Sequence, residues 1–281
     1  MNTDFLPIVS VLMTAYNREK YLADAVESVL NSTFTDFEII IVDDCSTDKT
    51  SEIAKSLQAK DKRVRYFRNE NNLGDYPNRN KAASLARGKY LKYIDSDDAI
   101  YPWGLEWMVK MMESFPEAGW GLCSMEQNSQ RIFPFQLTPR EAYAYHYEGP
   151  GLFKRSPLSS IFRKDLFDQL GGFNPIRMAG DFDMWHRMAV ISNVVLMPEG
   201  MVWYRKHDAQ EMNDYSEFIV IYEQIKVKYL TAPNCPLPQK NISEIFKKEK
   251  AKMLRNAKVS LLKRDFKIYK VAKACANLYP V

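Results

Sequence analysis

The chain has 281 residues, 46% of them apolar and 26% charged, with a formal net charge of +4. That length suits one large α/β domain with an extension, or two domains. The composition excludes collagen-like, low-complexity and acidic-disordered chains, and no apolar run reaches the roughly 18 residues that would cross a bilayer.

The N-terminal stretch "MNTDFLPIVSVLM" lacks the basic region of a signal peptide and is interrupted by Asp4. "PIVSVLMTAYN" reads as a buried strand ending near Thr14. Leu22, Val26, Val29 and Leu30 then recur at the spacing of one helical face. "FEIIIVDD" is a second buried strand, and Ser46 or Asp48 is placed to cap the helix in "CSTDKTSEIAKSL". "VRYFRN" gives a third strand, "YPNRNKAASLARG" a helix closed by Gly88, and "KYLKYID" a fourth strand. Pro102 opens a further helix to about Ser114, and "AGWGLCSME" reads as a strand. Residues 127–158 are rich in aromatics and prolines and read as irregular. "LSSIFRKDLFDQLGGFN" reads as strand, helix and double-glycine turn, "GDFDMWHRMAV" as a helix from about Asp181, and residues 200–206 as a strand. From about residue 215 the chain reads as helical, broken by prolines at 233–238.

Near-continuous apolar strands alternating with helices predict an α/β fold with a mainly parallel sheet covered on both faces. In such sheets ligands bind beyond the carboxyl ends of the strands. Three strand ends here carry polar clusters: Thr14-Ala15-Tyr16-Asn17, Asp43-Asp44, and Asp95-Ser96-Asp97-Asp98. The last packs three carboxylates into four positions, an arrangement that calls for positive charge nearby. Mg²⁺ or Mn²⁺ would supply it while bridging to a diphosphate, and a solvated helix-capping loop is the plainer reading. Asp43 and Asp44 are candidates for helix caps or for reading an N–H or hydroxyl of a nucleoside. Tyr16 offers a face on which a base can stack, and Asn17 could equally be an N-cap. Trp103 and Trp107, four residues apart, read first as one packed helix face and second as an acceptor platform.

Taken in order, "SVLMTAYNREKYLADAVESVLNSTFTDFEIIIVDDCSTDKT", "NLGDYPNRNKAASLARGKYLKYIDSDD", "GGFN…GDFDMWHRM" and "WYRKH" resemble the family 2 glycosyltransferases of GT-A fold, over residues 8–207. The resemblance implies a GT-A domain over 1–210 and a basic helical extension over 211–281. It implies that Thr14, Ala15, Tyr16, Asn17 and Asp44 hold the nucleoside of a sugar-nucleotide donor, and that Arg79 approaches its phosphates. Asp95, Ser96 and Asp97 would belong to the same donor site. Asp97, Asp98 and His207 would meet Mn²⁺ or Mg²⁺, with either aspartate as the direct ligand. Asp181 would be the general base, and Asp183, two residues on along a helix, would point elsewhere. The family often has Glu before this aspartate, where this chain has Gly180; the change bears on acceptor recognition or loop geometry.

The activity implied is inverting transfer of one sugar from a nucleotide-diphosphate sugar, foremost a UDP-sugar. The acceptor would be a saccharide or lipid-linked saccharide in surface glycan biosynthesis. Processive relatives carry QxxRW and membrane-spanning helices, and neither is present here. A non-catalytic sugar-nucleotide binding module is the rival reading; a sugar nucleotidyltransferase would need a glycine-rich first loop, which "TAYNREKYL" lacks. The four cysteines form no CxxC pair, which argues against zinc and for a reducing compartment, the cytoplasm. Residues 239–273 hold twelve Lys/Arg against Glu244, Glu249 and Asp265. This basic tail suggests peripheral contact with the inner membrane surface, and its helices could also mediate a homodimer. No nucleic-acid recognition motif is found.

Overall fold

The structure is a computed structural model that describes residues 6–206 and 218–280. Its N-terminal half runs β1 (Val9–Ala15), α1 (Leu22–Leu30), β2 (Phe37–Asp43), α2 (Thr50–Lys60), β3 (Val64–Arg68), α3 (Asp75–Ser84) and β4 (Tyr90–Tyr93). A two-residue strand β5 (Ala99–Ile100) and helix α4 (Gly104–Glu113) lead to β6 (Ala118–Met125). Then come β7 (Phe135–Leu137), α5 (Pro139–Tyr147), β8 (Ser160–Arg163), α6 (Lys164–Gln169), α7 (Gly180–Ile191), β9 (Asn193–Pro198) and β10 (Val202–Trp203). Three helices close the chain: α8 (Ile219–Leu230), α9 (Gln239–Leu262) and α10 (Phe266–Asn277).

Eight strands form one sheet in the order β3-β2-β1-β4-β8-β6-β9-β7, and β5 pairs with β10 in a separate ribbon. The β3-β2-β1-β4 half is parallel throughout. The other half is mixed, because β8 runs antiparallel to both β4 and β6, and β7 antiparallel to β9. Strand alternation divides the apolar runs between two cores. Val11, Met13, Ile39 and Ile41 face α1, α2 and α4 on one side of the sheet. Leu12, Ile40, Leu91 and Trp120 face the other, where α3, α5 and α7 pack and where α8, α9 and α10 join the same apolar cluster. Burial on both faces is why these strands show no polar alternation.

Several local expectations are corrected. Residues 127–158 are not irregular throughout, since they contain β7 and α5. Gly88 does not close α3, which ends at Ser84. Its absent side chain instead admits β1, as a Cβ there would lie 2.6 Å from the Ser10 nitrogen. Ser46 and Asp48 are not N-caps of α2, which starts after Lys49. Asp48 Oδ1 nevertheless accepts from the Thr50 N–H at 3.0 Å. The strand expected over 200–206 is only β10. The double-glycine turn holds, with φ of 73° at Gly171 and 77° at Gly172. All four cysteines are free thiols. Among the described residues no helix is long and apolar enough to cross a membrane.

Candidate functional site

The parallel register sets Ala15 beside Asp43 and Leu12 beside Tyr93. The three polar strand ends therefore share one sheet edge, at the switch point where β1 has β2 on one side and β4 on the other.

The first two ends are zipped together. Asn17 has φ of 53°, so it is no N-cap of α1, which starts after Tyr21. Its N–H donates to Ser46 Oγ at 3.0 Å, and its Oδ1 accepts from the Thr47 N–H at 2.9 Å. Asp43 is buried and structural, accepting from the Ser46 N–H at 2.8 Å and the Tyr66 hydroxyl at 2.9 Å. Asp44, also buried, accepts from the N–H groups of Leu73 and Gly74 at 2.8 and 2.9 Å and from Asn69 Nδ2 at 2.8 Å. It thus anchors the loop that opens α3. Thr14 is half-buried beside them, and Tyr16 stands 47% exposed.

At the third end, Asp98 N–H donates to the Asp95 carbonyl, folding residues 95–98 into a tight turn around buried Ser96. Arg79 Nη2 pairs with Asp95 at 2.7 Å and Arg79 Nε with Asp75 at 2.7 Å. The guanidinium is buried, and its Nη1 has no hydrogen-bond partner among the described residues. Asp97 pairs with Arg18 at 3.1 Å, and its carbonyl accepts from Arg205 Nε at 2.7 Å. Asp98 is buried and accepts from the Arg205 backbone N–H at 2.9 Å. Burial, then the neighbouring charge of Asp95, pushes its carboxyl up to about 7.

These donors fit a cation that takes one or two carboxylates from the protein and the rest of its oxygens from phosphate and water. The buried, electrostatically crowded Asp98 is the observation that supports the fit. They do not make an all-protein cage, since no group of three acidic, His or Cys side chains converges among the described residues. His207 lies outside the described residues.

Asp181 is in the first turn of α7. Its Oδ1 accepts from the Phe182 N–H at 2.7 Å and from the Tyr76 hydroxyl at 3.3 Å. Burial raises its carboxyl to about 6, against hydrogen bonding and the positive charge of Arg79. Tyr76 and Arg79 are three apart on α3, so one helix face links Asp181 to the acidic turn. Gly180 makes room for this link, because a Cβ there would lie 2.7 Å from the Tyr76 ring and 2.7 Å from the Asn174 carbonyl.

Asp183 points into the protein instead. It accepts from Asn174 Nδ2 at 2.7 Å, Arg187 Nε at 2.9 Å and the Tyr229 hydroxyl at 2.8 Å. Burial alone would raise its pKa, but these donors hold it below the usual carboxylate range.

Sequence reasoning missed Arg18, Tyr76 and Arg205. Each acts through a partner distant in the chain, and their presence inside the polar-ended stretches was the one signal available. It also misplaced Trp103 and Trp107, which are 40% and 45% exposed rather than core. Trp103 stacks on Tyr101 at 5.3 Å and donates from Nε1 to the Gly200 carbonyl, so the three rings form an open ledge after the acidic turn.

Comparisons with known proteins bear on the family and the fold. The sequence model for glycosyl transferase family 2 matches residues 10–171, more than half of the chain. An uncharacterized glycosyltransferase of Methanocaldococcus jannaschii is 48% identical over 110 residues, 38% of each chain. Glycosyltransferase GlyG of Streptococcus pneumoniae is 25% identical over 92% of this chain and 88% of its own. TuaG of Bacillus subtilis, a glycosyltransferase whose name carries teichuronic acid biosynthesis, is 39% identical over 51% of this chain and 54% of its own. Among solved structures, TarS of S. aureus in complex with UDP-GlcNAc superposes with a TM-score of 0.66 at 23% identity, covering 84% of this chain and 70% of that one. A mannosyltransferase from Pyrobaculum calidifontis, in complex with GDP-Man and Mn²⁺, gives 0.63 at 15% identity, covering 98% and 86%. At these identities the two structures speak for the fold alone.

Proposed function

This chain belongs to glycosyl transferase family 2 and is a glycosyltransferase of GT-A fold, and on that premise we propose an inverting, metal-dependent transfer of one sugar from a UDP-sugar. The acceptor in this reading is a saccharide, free or lipid-linked, in cell-surface glycan biosynthesis, with the enzyme at the cytoplasmic side. The observation that carries it is Asp181, a carboxylate held by Tyr76 with its pKa raised to about 6. A base near that value is ionised at neutral pH yet basic enough to take a hydroxyl proton in the transition state.

In this mechanism Tyr16 stacks on the base, while Thr14, Ala15, Asn17 and Asp44 surround the nucleoside. The buried, unpartnered Nη1 of Arg79 is the donor left for the diphosphate, with Asp95 and Ser96 at its side. Asp97 and Asp98, with His207 as a third candidate, would hold Mn²⁺ or Mg²⁺, which when bound supplies Lewis-acid stabilisation to the departing diphosphate. Asp181 takes the proton of the acceptor hydroxyl as it attacks the anomeric carbon from the face opposite the leaving group. The aromatic ledge of Tyr101, Trp103 and Trp107 offers stacking faces for acceptor sugars. Residues 1–210 carry this chemistry, and the extension over 211–281 buttresses α7 through Tyr229 and Asp183.

The relatives favour this reading. TarS is seen with UDP-GlcNAc, the mannosyltransferase with Mn²⁺, and TuaG's name points to a surface polymer. The test is thermal melting with UDP, GDP and CMP, each with and without Mn²⁺. Ligands of the folded state raise the melting temperature by mass action. A shift for UDP that requires Mn²⁺ is expected; a shift for another nucleotide alone would replace the donor assignment, and none at all would favour a degenerate module or a site that forms only with acceptor present.

A further inference from the structure

Helices α9 and α10 form an antiparallel hairpin whose turn spans Lys263–Asp265. Asp265 spends its carboxylate inside that turn, accepting from the Ile268 N–H at 3.0 Å. Around the turn, large apolar side chains face outward: Leu262 is 76% exposed, Phe266 60% and Leu261 47%. Lys258, Lys263, Arg264 and Lys270, all exposed, ring them. The other side of the hairpin is ordinary core, with Met253, Ala257, Ala272 and Cys275 buried. Apolar residues displayed at a protruding tip are costly in water unless something covers them.

We propose that this tip docks on an anionic lipid bilayer, with Leu261, Leu262 and Phe266 entering the headgroup boundary and the four basic residues meeting lipid phosphates. Charge decides between the occupants. A second copy of the chain would bring like-charged tips together, whereas an anionic surface complements them. The position of the tip gives the docking a purpose, and this part rests on the transferase reading. Ile268 lies within a turn of Phe266 and lines a cavity of about 240 Å³ together with Phe182, Tyr222 and Met253. Phe182 follows Asp181 directly, and its ring lies 5.0 Å from that of Tyr222. The hairpin therefore meets, across this cavity, the residue that follows Asp181, and on the transferase reading a docked tip would hold the enzyme beside an acceptor anchored in the same bilayer.

The experiment is co-sedimentation of the full chain with phosphatidylcholine vesicles, with and without about 30% phosphatidylglycerol as the anionic lipid. Binding to the anionic vesicles that weakens with added salt is expected. The double variants Leu262→Asp with Phe266→Asp and Lys263→Glu with Arg264→Glu should each lose on the order of tenfold or more in partitioning. Because all four positions are exposed, melting temperature and its UDP-induced shift should stay at wild-type values, which separates lost docking from lost folding. Failure of the wild type to bind anionic vesicles would overturn the proposal, as would variants that bind as well as it does. A dimer that Leu262→Asp with Phe266→Asp dissolves, without vesicle binding, would overturn it in favour of self-association. Vesicle binding by a chain that takes up no nucleotide would support the docking surface while removing the transferase reading.

Discussion

In the packed interior, Glu38 and Asp183 are each surrounded by donors, whereas at the cleft the buried Asp98 and the half-buried Asp181 have few. Glu38 accepts from Ser10 Oγ, from Arg65 and from both the backbone and side chain of Arg87, and its pKa is lowered despite burial. Asp183 is lowered in the same way. Asp98 has no cationic side chain paired with it among the described residues and is raised to about 7, and Asp181 is raised to about 6. A fully partnered carboxylate is a structural brace. One buried without its complement is held ready for a cation or a proton, and such groups cluster at functional sites.

The contrast is sharpest on one helix, where Asp181 and Asp183 sit two residues apart. The largest expected effect is on turnover: Asp181→Asn should cut transfer by roughly two to four orders of magnitude while UDP binding is kept, read from initial rates and nucleotide melting shifts. Asp183→Asn should instead lower stability by about 3 kcal/mol, because it leaves Arg187 without its buried counter-charge; denaturant unfolding would measure it. Equal effects of the two substitutions on both readouts would break the comparison.

The same unfolding experiment on Asp181→Asn should show the opposite sign, a gain on the order of 1–3 kcal/mol at pH 7.5. The folded pKa of Asp181 is raised above its unfolded value. The stabilisation from its protonated form is therefore full below the unfolded pKa and lost as pH rises through about 6, and the amide removes that loss. In the proposed mechanism catalysis runs the other way, since a base works only when ionised: kcat should fall as pH drops through about 6, and that limb should vanish with Asp181. The smallest effect is expected at the aromatic ledge. Trp103→Ala should raise acceptor KM by about tenfold or less with kcat and stability nearly unchanged, since the ring is half exposed.

The strands of the parallel half were legible because burial on both faces leaves unbroken apolar runs, as in Ile39–Val42. Their polar ends were legible as a candidate site because parallel strands deliver them to one edge. Helix α5 was hidden, since "PREAYAYHY" has no clean apolar stripe. Its capping box, Thr138 with Glu141, was the signal that could have revealed it. The partners of the carboxylates could not be read at all. Arg205 reaches Asp98 across 107 positions and Tyr76 reaches Asp181 across 105, distances that no local pattern encodes. The exposure of Trp103 and Trp107 was equally hidden, because a spacing of four fits a buried or an open helix face alike.

The central claim is that Asp181 is the base of a metal-dependent sugar transfer, and one paired measurement addresses it most directly. UDP release from UDP-sugars would be followed in Mn²⁺ for the wild type and for Asp181→Asn, alongside the UDP-induced melting shift of each. The account predicts release by the wild type and almost none by the variant, with equal melting shifts. Release by Asp181→Asn at the wild-type rate would contradict it.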